Sequence, residues 1–247
     1  MDLVSVIIPY YKKKNFILDS INSVVSQTYK KIEILIVYDD ESYEDLKFLE
    51  KIKNKDERIK LIINKKKRGA GVSRNIGISY SNGKYVAFLD ADDTWHADKL
   101  KKQINFMAGN NYLASHTSYQ IVDLKKNIIG KRIARNFTDF KDLLKSCDIG
   151  TSTVILKKEI FTDEIKFPSI KTKEDFVLWL RILKKNIKIY GLNENLMLWT
   201  KSESSLSSST IQKLIDGFKV YNKYMKFNYI KSFYYLICLS LNFIIKK

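Results

Sequence analysis

The chain has 247 residues, a length that fits one large α/β domain with a short appendage. Hydrophobic residues make up 45% of it and charged residues 29%, which predicts a globular protein with a core of normal size. The net charge is +17, yet only six of the 44 basic residues are arginines, the residue that nucleic-acid readers favour for bidentate contacts. The composition therefore argues against a nucleic-acid partner and predicts a lysine-rich surface, or one attracted to anionic lipid.

The first 93 residues alternate between strand and helix patterns. Apolar runs predict strands at 4–8, 32–37, 59–63 and 85–89, and helical patterns lie between them at 15–27, 46–52 and 71–80. Buried strands separated by helices predict a Rossmann-like, three-layer α/β/α fold with a mostly parallel sheet. Ligands of such sheets bind beyond the carboxyl ends of the strands, where the acidic segments 38–41 and 90–93 are expected.

Beyond residue 93 the pattern is mixed. Helices are predicted at 98–107 and 174–184, antiparallel strands at 113–121 and 128–133, and short strands at 153–156 and 187–190. The segment 201–210 is rich in serine, and its part 201–207 is predicted to form a mobile lid. The segment 211–247 is helical in rhythm and rich in aromatic residues. Cys147 and Cys238 are too few and too far apart for a disulfide framework, and no signal peptide is apparent. A cytoplasmic protein is therefore predicted.

The acidic cluster Asp90-Ala91-Asp92-Asp93 directly follows the fourth predicted strand. Carboxylates at i and i+2 point to one side, and a pair with open positions suits Mg²⁺ or Mn²⁺, which takes water and phosphate oxygens as further ligands. A cation held there would neutralise a departing diphosphate. The alternative is an acidic loop that caps the helix starting near Asp98.

Two further segments are expected at the same edge of the sheet. The glycines of 69–77 permit a close approach before a helix, where Arg74 is placed to contact a phosphate, although the alternative is an ordinary exposed arginine. The segment is neither a dinucleotide fingerprint nor a P-loop. Tyr11, at the end of the first strand, has the chemistry to stack on a nucleobase, and Asp39 or Asp40 to accept a hydrogen bond from its edge.

In these segments the chain resembles the family 2 glycosyltransferases of GT-A fold, which are inverting enzymes of bacterial surface-glycan synthesis. The resemblance covers roughly residues 3–205. It is carried, in order, by Val4-Ser5-Val6-Ile7-Ile8-Pro9-Tyr10-Tyr11, Ser26-Gln27-Thr28-Tyr29, 33–40, 71–77, 85–93 with Trp95 and Lys99-Leu100, Gly150-Thr151-Ser152-Thr153-Val154, and 174–181. Each segment is weak alone, whereas their order and spacing together are specific.

The resemblance implies transfer of a sugar from a nucleotide-diphosphate donor, expected to be a UDP-sugar, to a hydroxyl of a glycan or lipid-linked acceptor. It implies a metal, Mn²⁺ or Mg²⁺, at Asp92. The nucleotide-sugar site that it implies consists of Pro9, Tyr11, Asp39, Asp40, Arg74, Asp90 and Ala91. It also implies a GT-A catalytic domain at 1–210, with a nucleotide-binding half at 1–93 and an acceptor half at 94–210, followed by a helical tail at 211–247.

By the same resemblance Asp175 is the catalytic base, with Glu174 and Trp179 on the acceptor side. Inversion by direct displacement needs a carboxylate opposite the leaving diphosphate to take the acceptor proton. The dipeptide Glu174-Asp175 opens an amphipathic helix, whose N-terminus stabilises a carboxylate. From the residues alone, the favoured interpretation is that both are first-turn acids of a surface helix. We expect Asp175 to act as the base and Glu174 to orient it.

One departure concerns the segment Tyr38-Asp39-Asp40-Glu41-Ser42, where the family usually has D-D-G-S. Tyr38 is either inserted or marks a register shift by one residue. This leaves open whether Asp39 or Asp40 contacts the nucleobase of the donor.

The apolar stretch 233–245 is flanked by Lys231 and by Lys246-Lys247. It is too short to cross a bilayer, which requires about 20 residues. One interpretation is a helix packed on the catalytic domain, and the other is an interfacial helix that contacts the anionic inner face of the cell membrane.

Two other functions compete with sugar transfer. A metal-dependent nucleotidyltransferase would carry a glycine-rich loop with a basic residue after the first strand, which Pro9-Tyr10-Tyr11 does not supply. A catalytically inactive GT-A-like scaffold would have lost the acidic residues, all of which are present.

Overall fold

The computed structural model describes residues 1–201 and 210–245. Its strands are β1 (Val4–Tyr10), β2 (Ile32–Tyr38), β3 (Ile59–Ile63), β4 (Tyr85–Phe88), β5 (Thr94–Trp95), β6 (Ala114–Val122), β7 (Ile128–Arg132), β8 (Ile155–Lys157) and β9 (Tyr190–Thr200). Its helices are α1 (Lys14–Val25), α2 (Tyr43–Lys53), α3 (Ala70–Tyr80), α4 (Lys99–Gly109), α5 (Phe140–Leu143), α6 (Glu174–Lys184), α7 (Thr210–Lys219) and α8 (Tyr229–Ile245). The predicted lid at 201–207 lies, apart from Lys201, outside the described residues.

The strands form one sheet in the order β3-β2-β1-β4-β8-β6-β9-β5, with β7 paired to β6. The pairs among β1, β2, β3 and β4 are parallel, and β8 joins this half to β6 through antiparallel pairs. Because β1, β2 and β4 are parallel, their carboxyl ends lie at one edge of the sheet.

Alternating side chains of the sheet enter two separate cores, as a pleated strand requires. Ile7 and Phe88 lie in one core with residues of α6 and of the C-terminal tail, and Gly77 of α3 packs closely on Ile7. Val6 and Ile8 lie in the other core, together with buried residues of α1, α2 and α4. Helices therefore cover both faces of the sheet, as the sequence predicts.

Two details near the site differ from the sequence-based expectation. Strand β1 continues through Pro9, because its pairing with β4 ends at Ile7 and the missing N–H of the proline breaks no bond of that ladder. Strand β2 includes Tyr38, one residue beyond its predicted end, because the β1–β2 register is unbroken up to the pair Tyr10 and Tyr38, whose rings stack with centroids 5.7 Å apart.

The last strand was placed wrongly by the apolar pattern, which predicts a strand only at 187–190. Strand β9 begins at Tyr190 and runs to Thr200 through the polar stretch 193–195, where its pairing with β6 shifts register. After it, α7 and α8 are joined through a π-helical turn, Val220–Tyr224, so the tail is helical in its described part. Within that part no helix is both long and apolar enough to cross a membrane.

Candidate active site

The three carboxylates after β4 have different partners. Asp92 forms an ion pair with Lys13, at 2.8 Å between Nζ and Oδ2, and Asp90 accepts a hydrogen bond from Arg74 at 2.5 Å. Asp93 is buried, where it accepts hydrogen bonds from the Ser152 hydroxyl and the Thr200 backbone N–H. Asp93 therefore anchors the loop, whereas Asp90, whose side chain is 35% exposed, is open to a ligand.

Burial and mutual repulsion make the charged forms of Asp92 and Asp93 unfavourable. Burial raises the pKa of Asp92, the Lys13 ammonium opposes the rise, and the neighbouring Asp90 adds to it. The pKa of Asp93 lies well above its usual value because the group is buried and faces the charges of Asp90 and Asp92. A cation brought to this cluster would relieve the repulsion.

Arg74 was expected to contact a phosphate, but its guanidinium is buried between two carboxylates of the protein. The guanidinium is buried and donates to Asp90 and to Glu174, the latter at 2.7 Å. Burial alone would disfavour the charged form, but the two carboxylates outweigh it and raise the pKa of Arg74. Arg74 thereby joins the acidic cluster of β4 to the start of α6.

Glycine allows α3 to approach α6 closely enough for this bridge. A Cβ on Gly71 would lie 2.8 Å from the carbonyl oxygen of Pro168 and 3.1 Å from Cγ of Glu174. Gly69, which precedes the helix, has a φ of 84°, a conformation that favours glycine. These two positions explain the glycine-rich start of α3 without a phosphate loop.

Asp175 lies at the first turn of α6, behind Lys173 in the left-handed conformation with a φ of 64°. The Thr151 hydroxyl donates to Asp175 Oδ2 at 2.9 Å, and the backbone N–H of Phe176 donates to Oδ1. Glu174 is bonded to Arg74, and the side chain that donates a hydrogen bond to the Asp175 carboxylate is that of Thr151. Burial raises the pKa of Glu174, and Arg74 opposes the rise.

Trp179, which the resemblance places on the acceptor side, has no exposed surface. Its side chain is fully buried in the core and its ring packs edge to face on Phe167, with centroids 6.3 Å apart. The sequence pattern correctly places Asp175 and Trp179 on α6. It did not reveal that Trp179 lies on the face of the helix that is turned toward the core.

The aspartates after β2 differ in accessibility. Asp39 is buried and accepts from the backbone N–H groups of Arg68 and Gly69 and from the Asn64 side chain, so it holds the loop before α3. Asp40 accepts from the backbone N–H of Lys12 and lines an open cleft of about 330 Å³. The cleft is lined by Lys12, Lys14, Asn15, Phe16, Asp40, Ser42 and Asp45.

Tyr11 borders the same edge of the sheet, following Tyr10 of β1. Lys67 donates a hydrogen bond to its hydroxyl at 2.6 Å, and this bond lowers the pKa of Tyr11. Pro9 and Ala91 supply the backbone of the two strand ends and carry no polar side chain of their own. The structure thus brings the predicted nucleotide-sugar residues to one edge, except that Arg74 and Asp39 are engaged in internal contacts.

Four residues of this arrangement were missed from the sequence. Lys13 is one of three consecutive lysines with nothing to distinguish it. Thr151 and Ser152 were noticed only as part of a matching segment, although together they connect Asp175 to Asp93 and to the backbone N–H of Asp90. Asp93 was grouped with its neighbours, and only its burial separates it from them.

Comparison with known proteins assigns the chain to a family. The model described as Glycosyl transferase family 2 matches residues 5–163. The Escherichia coli protein UDP-Glc:alpha-D-GlcNAc-diphosphoundecaprenol beta-1,3-glucosyltransferase WfgD is 37% identical over 95% of this chain and 91% of its own length. The chain belongs to glycosyl transferase family 2 and is a glycosyltransferase of the bacterial surface-glycan type, which confirms the resemblance in its sequence.

Solved structures confirm the predicted GT-A fold. The crystal structure of S. aureus TarS 1-349 in complex with UDP-GlcNAc has a TM-score of 0.75 at 21% identity, covering 94% of this chain and 70% of that one. Mannosyltransferase PcManGT from Pyrobaculum calidifontis, in complex with GDP-Man and Mn²⁺, has a TM-score of 0.71 at 15% identity, covering 95% and 70%.

Proposed function

We propose that this glycosyltransferase transfers a sugar, with inversion, from a UDP-sugar to a hydroxyl of a lipid-linked glycan. The observation that carries the proposal is a single network of side chains. It connects Asp90, two residues before Asp92 on the donor side, to the turn that holds Asp175, through Arg74 and Glu174. A displacement reaction needs these two sets of carboxylates on opposite sides of one sugar ring.

The relatives support the choice of donor and stereochemistry. The name of WfgD specifies UDP-glucose as donor and a β-1,3 product on a diphosphoundecaprenol-linked sugar. UDP-glucose carries an α-linked glucosyl group, so a β product requires inversion. The TarS structure, with the same fold, holds UDP-GlcNAc. UDP-glucose is therefore the first donor to test, and UDP-GlcNAc the second.

The donor set at the acidic cluster fits a hard divalent cation. Among the described residues, no group of three or more His, Cys, Asp or Glu side chains is arranged to hold a metal. Mg²⁺ and Mn²⁺ sites of phosphoryl substrates, however, commonly use one or two carboxylates with phosphate and water as the other ligands. Asp92 would be the ligand, with Asp90 beside it. The ion would supply charge neutralisation for the departing diphosphate.

The remaining roles belong to the residues of the chain. Asp175 accepts the proton of the attacking hydroxyl at one carboxylate oxygen, and Thr151 holds the carboxylate in place through Oδ2. The Arg74 guanidinium pairs with both Asp90 and Glu174 and offsets their negative charges, so that both carboxylates can lie near Asp175. Asp40 lines the cleft that would receive the nucleoside, and Tyr11 directly precedes Lys12, another of its lining residues.

The decisive experiment combines nucleotide binding with sugar transfer. We expect wild-type protein to bind UDP in calorimetry more tightly with Mn²⁺ than without it, and Asp92→Ala to lose the metal-dependent part. Asp98→Ala, which changes an exposed carboxylate of the following loop, is the matched control and should bind as wild type does.

Under the same conditions, the Asp175→Asn variant should bind UDP as tightly as wild type does. It should release UDP from UDP-glucose about 10²–10⁴-fold more slowly, which is the usual rate contribution of a general base. GDP and dTDP serve as competing nucleotides. Folded wild-type protein that binds none of the three would contradict the proposal and favour an inactive scaffold.

A further inference from the structure

Helix α8 is apolar on two opposite faces. On its inner face Ser232 and Leu239 are buried, and Tyr235 and Leu236 pack against the core. Its outer face, about half a turn away, carries a continuous stripe of apolar side chains that are 54–83% exposed, namely Ile230, Phe233, Ile237, Leu241 and Ile244. Helices of monomeric proteins normally present polar residues on the side away from the core.

Helix α7 extends this stripe. Ile211, Leu214 and Ile215 are 73%, 44% and 47% exposed, and lie at helical spacing on one face. Phe218, one turn further along, contacts Phe233 of α8 with ring centroids 4.9 Å apart. The exposed side chains of α7 and α8 thus form one surface, called here the tail surface. Contiguous apolar areas of this kind mark interaction sites.

The charge around the tail surface has one sign. Residues 211–247 contain seven lysines and a single acidic residue, Asp216, which is fully buried. Lys213 lies over the ring of Phe243 and Lys231 over that of Phe227, with Nζ 5.9 Å and 4.2 Å from the ring centroids. Apolar and aromatic side chains bordered by lysines are the pattern of a helix that lies in a membrane interface.

We propose that the tail surface docks on a bilayer of anionic lipids, with α7 and α8 lying in the plane of the headgroups. The 17 residues of α8 span only about 25 Å, shorter than the hydrocarbon core of about 30 Å, so docking rather than crossing fits the helix. A second copy of the chain is a poorer occupant, because it would bring a second set of lysines against the first.

The docking surface lies beside the active site. On its inner side, α7 carries Asp216, whose carboxylate accepts hydrogen bonds from the N–H and hydroxyl of Thr172. Thr172 lies three residues before Asp175, so a bilayer on the outer side of α7 would be about one helix diameter, roughly 10 Å, from the turn that holds the base. This distance suits a lipid-linked acceptor if the proposed function holds, but the docking itself does not depend on it.

The test is flotation of the full chain with vesicles, without nucleotide or metal. We expect wild type to float with vesicles of phosphatidylcholine and phosphatidylglycerol at low salt, and to stay behind with phosphatidylcholine alone. The variant Ile230→Glu, Phe233→Glu, Ile237→Glu should bind anionic vesicles at least about tenfold more weakly, because it places three charges in the apolar band.

The matched control is Leu124→Glu, Ile128→Glu, Ile129→Glu, which makes the same changes at exposed apolar residues around β7. It should float nearly as well as wild type, although its net charge is equally reduced. Circular dichroism melting must show both variants folded. Single Phe233→Glu, with a smaller loss of binding, keeps the test valid if the triple variant does not fold.

Three outcomes would overturn the proposal. Wild type that does not float with anionic vesicles, or a tail variant that floats as well as wild type, excludes the bilayer as occupant. Wild type that sediments as a dimer, which the tail variant converts to monomer without a change in flotation, assigns the tail surface to a second copy. None of these results depends on UDP binding, so failure here is distinct from failure of the proposed function.

Discussion

At the scale of single residues, the three aspartates of the acidic cluster differ in burial and in their partners. Asp93 is enclosed and serves the loop, Asp90 is paired to Arg74 but open to a ligand, and Asp92 is paired to Lys13. Both members of the Asp92–Lys13 pair have side chains that are 17% exposed, so solvent only partly screens their attraction. A metal ion that binds Asp92 as proposed would therefore have to displace the ammonium.

Replacing Lys13 tests this competition. We expect Lys13→Met to tighten Mn²⁺ binding about tenfold in the absence of nucleotide, since a contact between charged groups of this kind contributes about 1.5 kcal/mol. Calorimetric titration with Mn²⁺ measures the effect. Lys14→Met is the control, because its side chain is 42% exposed and its carboxylate contacts are at 3.6 Å and 3.7 Å. Equal Mn²⁺ affinity of all three proteins would mean that Lys13 does not compete.

At the scale of elements, the start of α6 is held from three sides. Helix α3 approaches through Gly71, the turn at 151–153 supplies Thr151, and α7 supplies Asp216. Burial alone would raise the pKa of Asp216, but its hydrogen bonds from Gln212, Lys219 and Thr172 lower it instead. The tail is therefore joined to the turn before α6 by a charged, buried contact.

Removing this contact should weaken the molecule. Asp216→Ala leaves the N–H of Thr172 without its acceptor, and we expect the free energy of unfolding to fall by about 1–3 kcal/mol in urea denaturation. Asp216→Asn keeps an acceptor oxygen in the same position and should lose less. Equal losses in the two variants would show that the negative charge, and not the hydrogen bonds to Thr172, is what stabilises the contact.

At the scale of the whole molecule, stability depends on the charge state of titratable side chains that are buried in the sheet. His116 lies in β6, and its Nε2 donates to the carbonyl oxygen of Arg135 at 2.8 Å. Burial lowers the pKa of His116 from 6.5 to about 4. Between these values the unfolded chain binds a proton that the folded chain does not, so folding stability falls as the pH falls.

The expected result is a loss of up to about 3 kcal/mol between pH 6.5 and pH 4 that is due to this one side chain. Unfolding by urea across this range should give a shallower pH dependence for His116→Gln than for wild type. The exposed His96 provides the control, and His96→Gln should follow wild type. Parallel curves for all three proteins would refute the assignment to His116.

Much of the fold could be predicted because it depends on local pattern. The strand 59–63 and the helix 174–184 have the bounds expected from their apolar spacing, and the alternation of strands with helices implies the parallel half of the sheet. Strand β9 could not be predicted in the same way, because its polar middle pairs with β6 over a separation of about 75 residues. Such pairing is decided by the partner strand rather than by the segment itself.

The sequence by itself determined the family, the α/β class and the edge of the sheet where the acidic segments meet, since the carboxyl ends of parallel strands share one edge. Only the tertiary structure decided the pairing of side chains. Arg74 with Glu174, Thr151 with Asp175 and Asp216 with Thr172 are far apart along the chain. Which face of a helix turns inward, as for Trp179 and the tail surface, likewise depends on what packs against it.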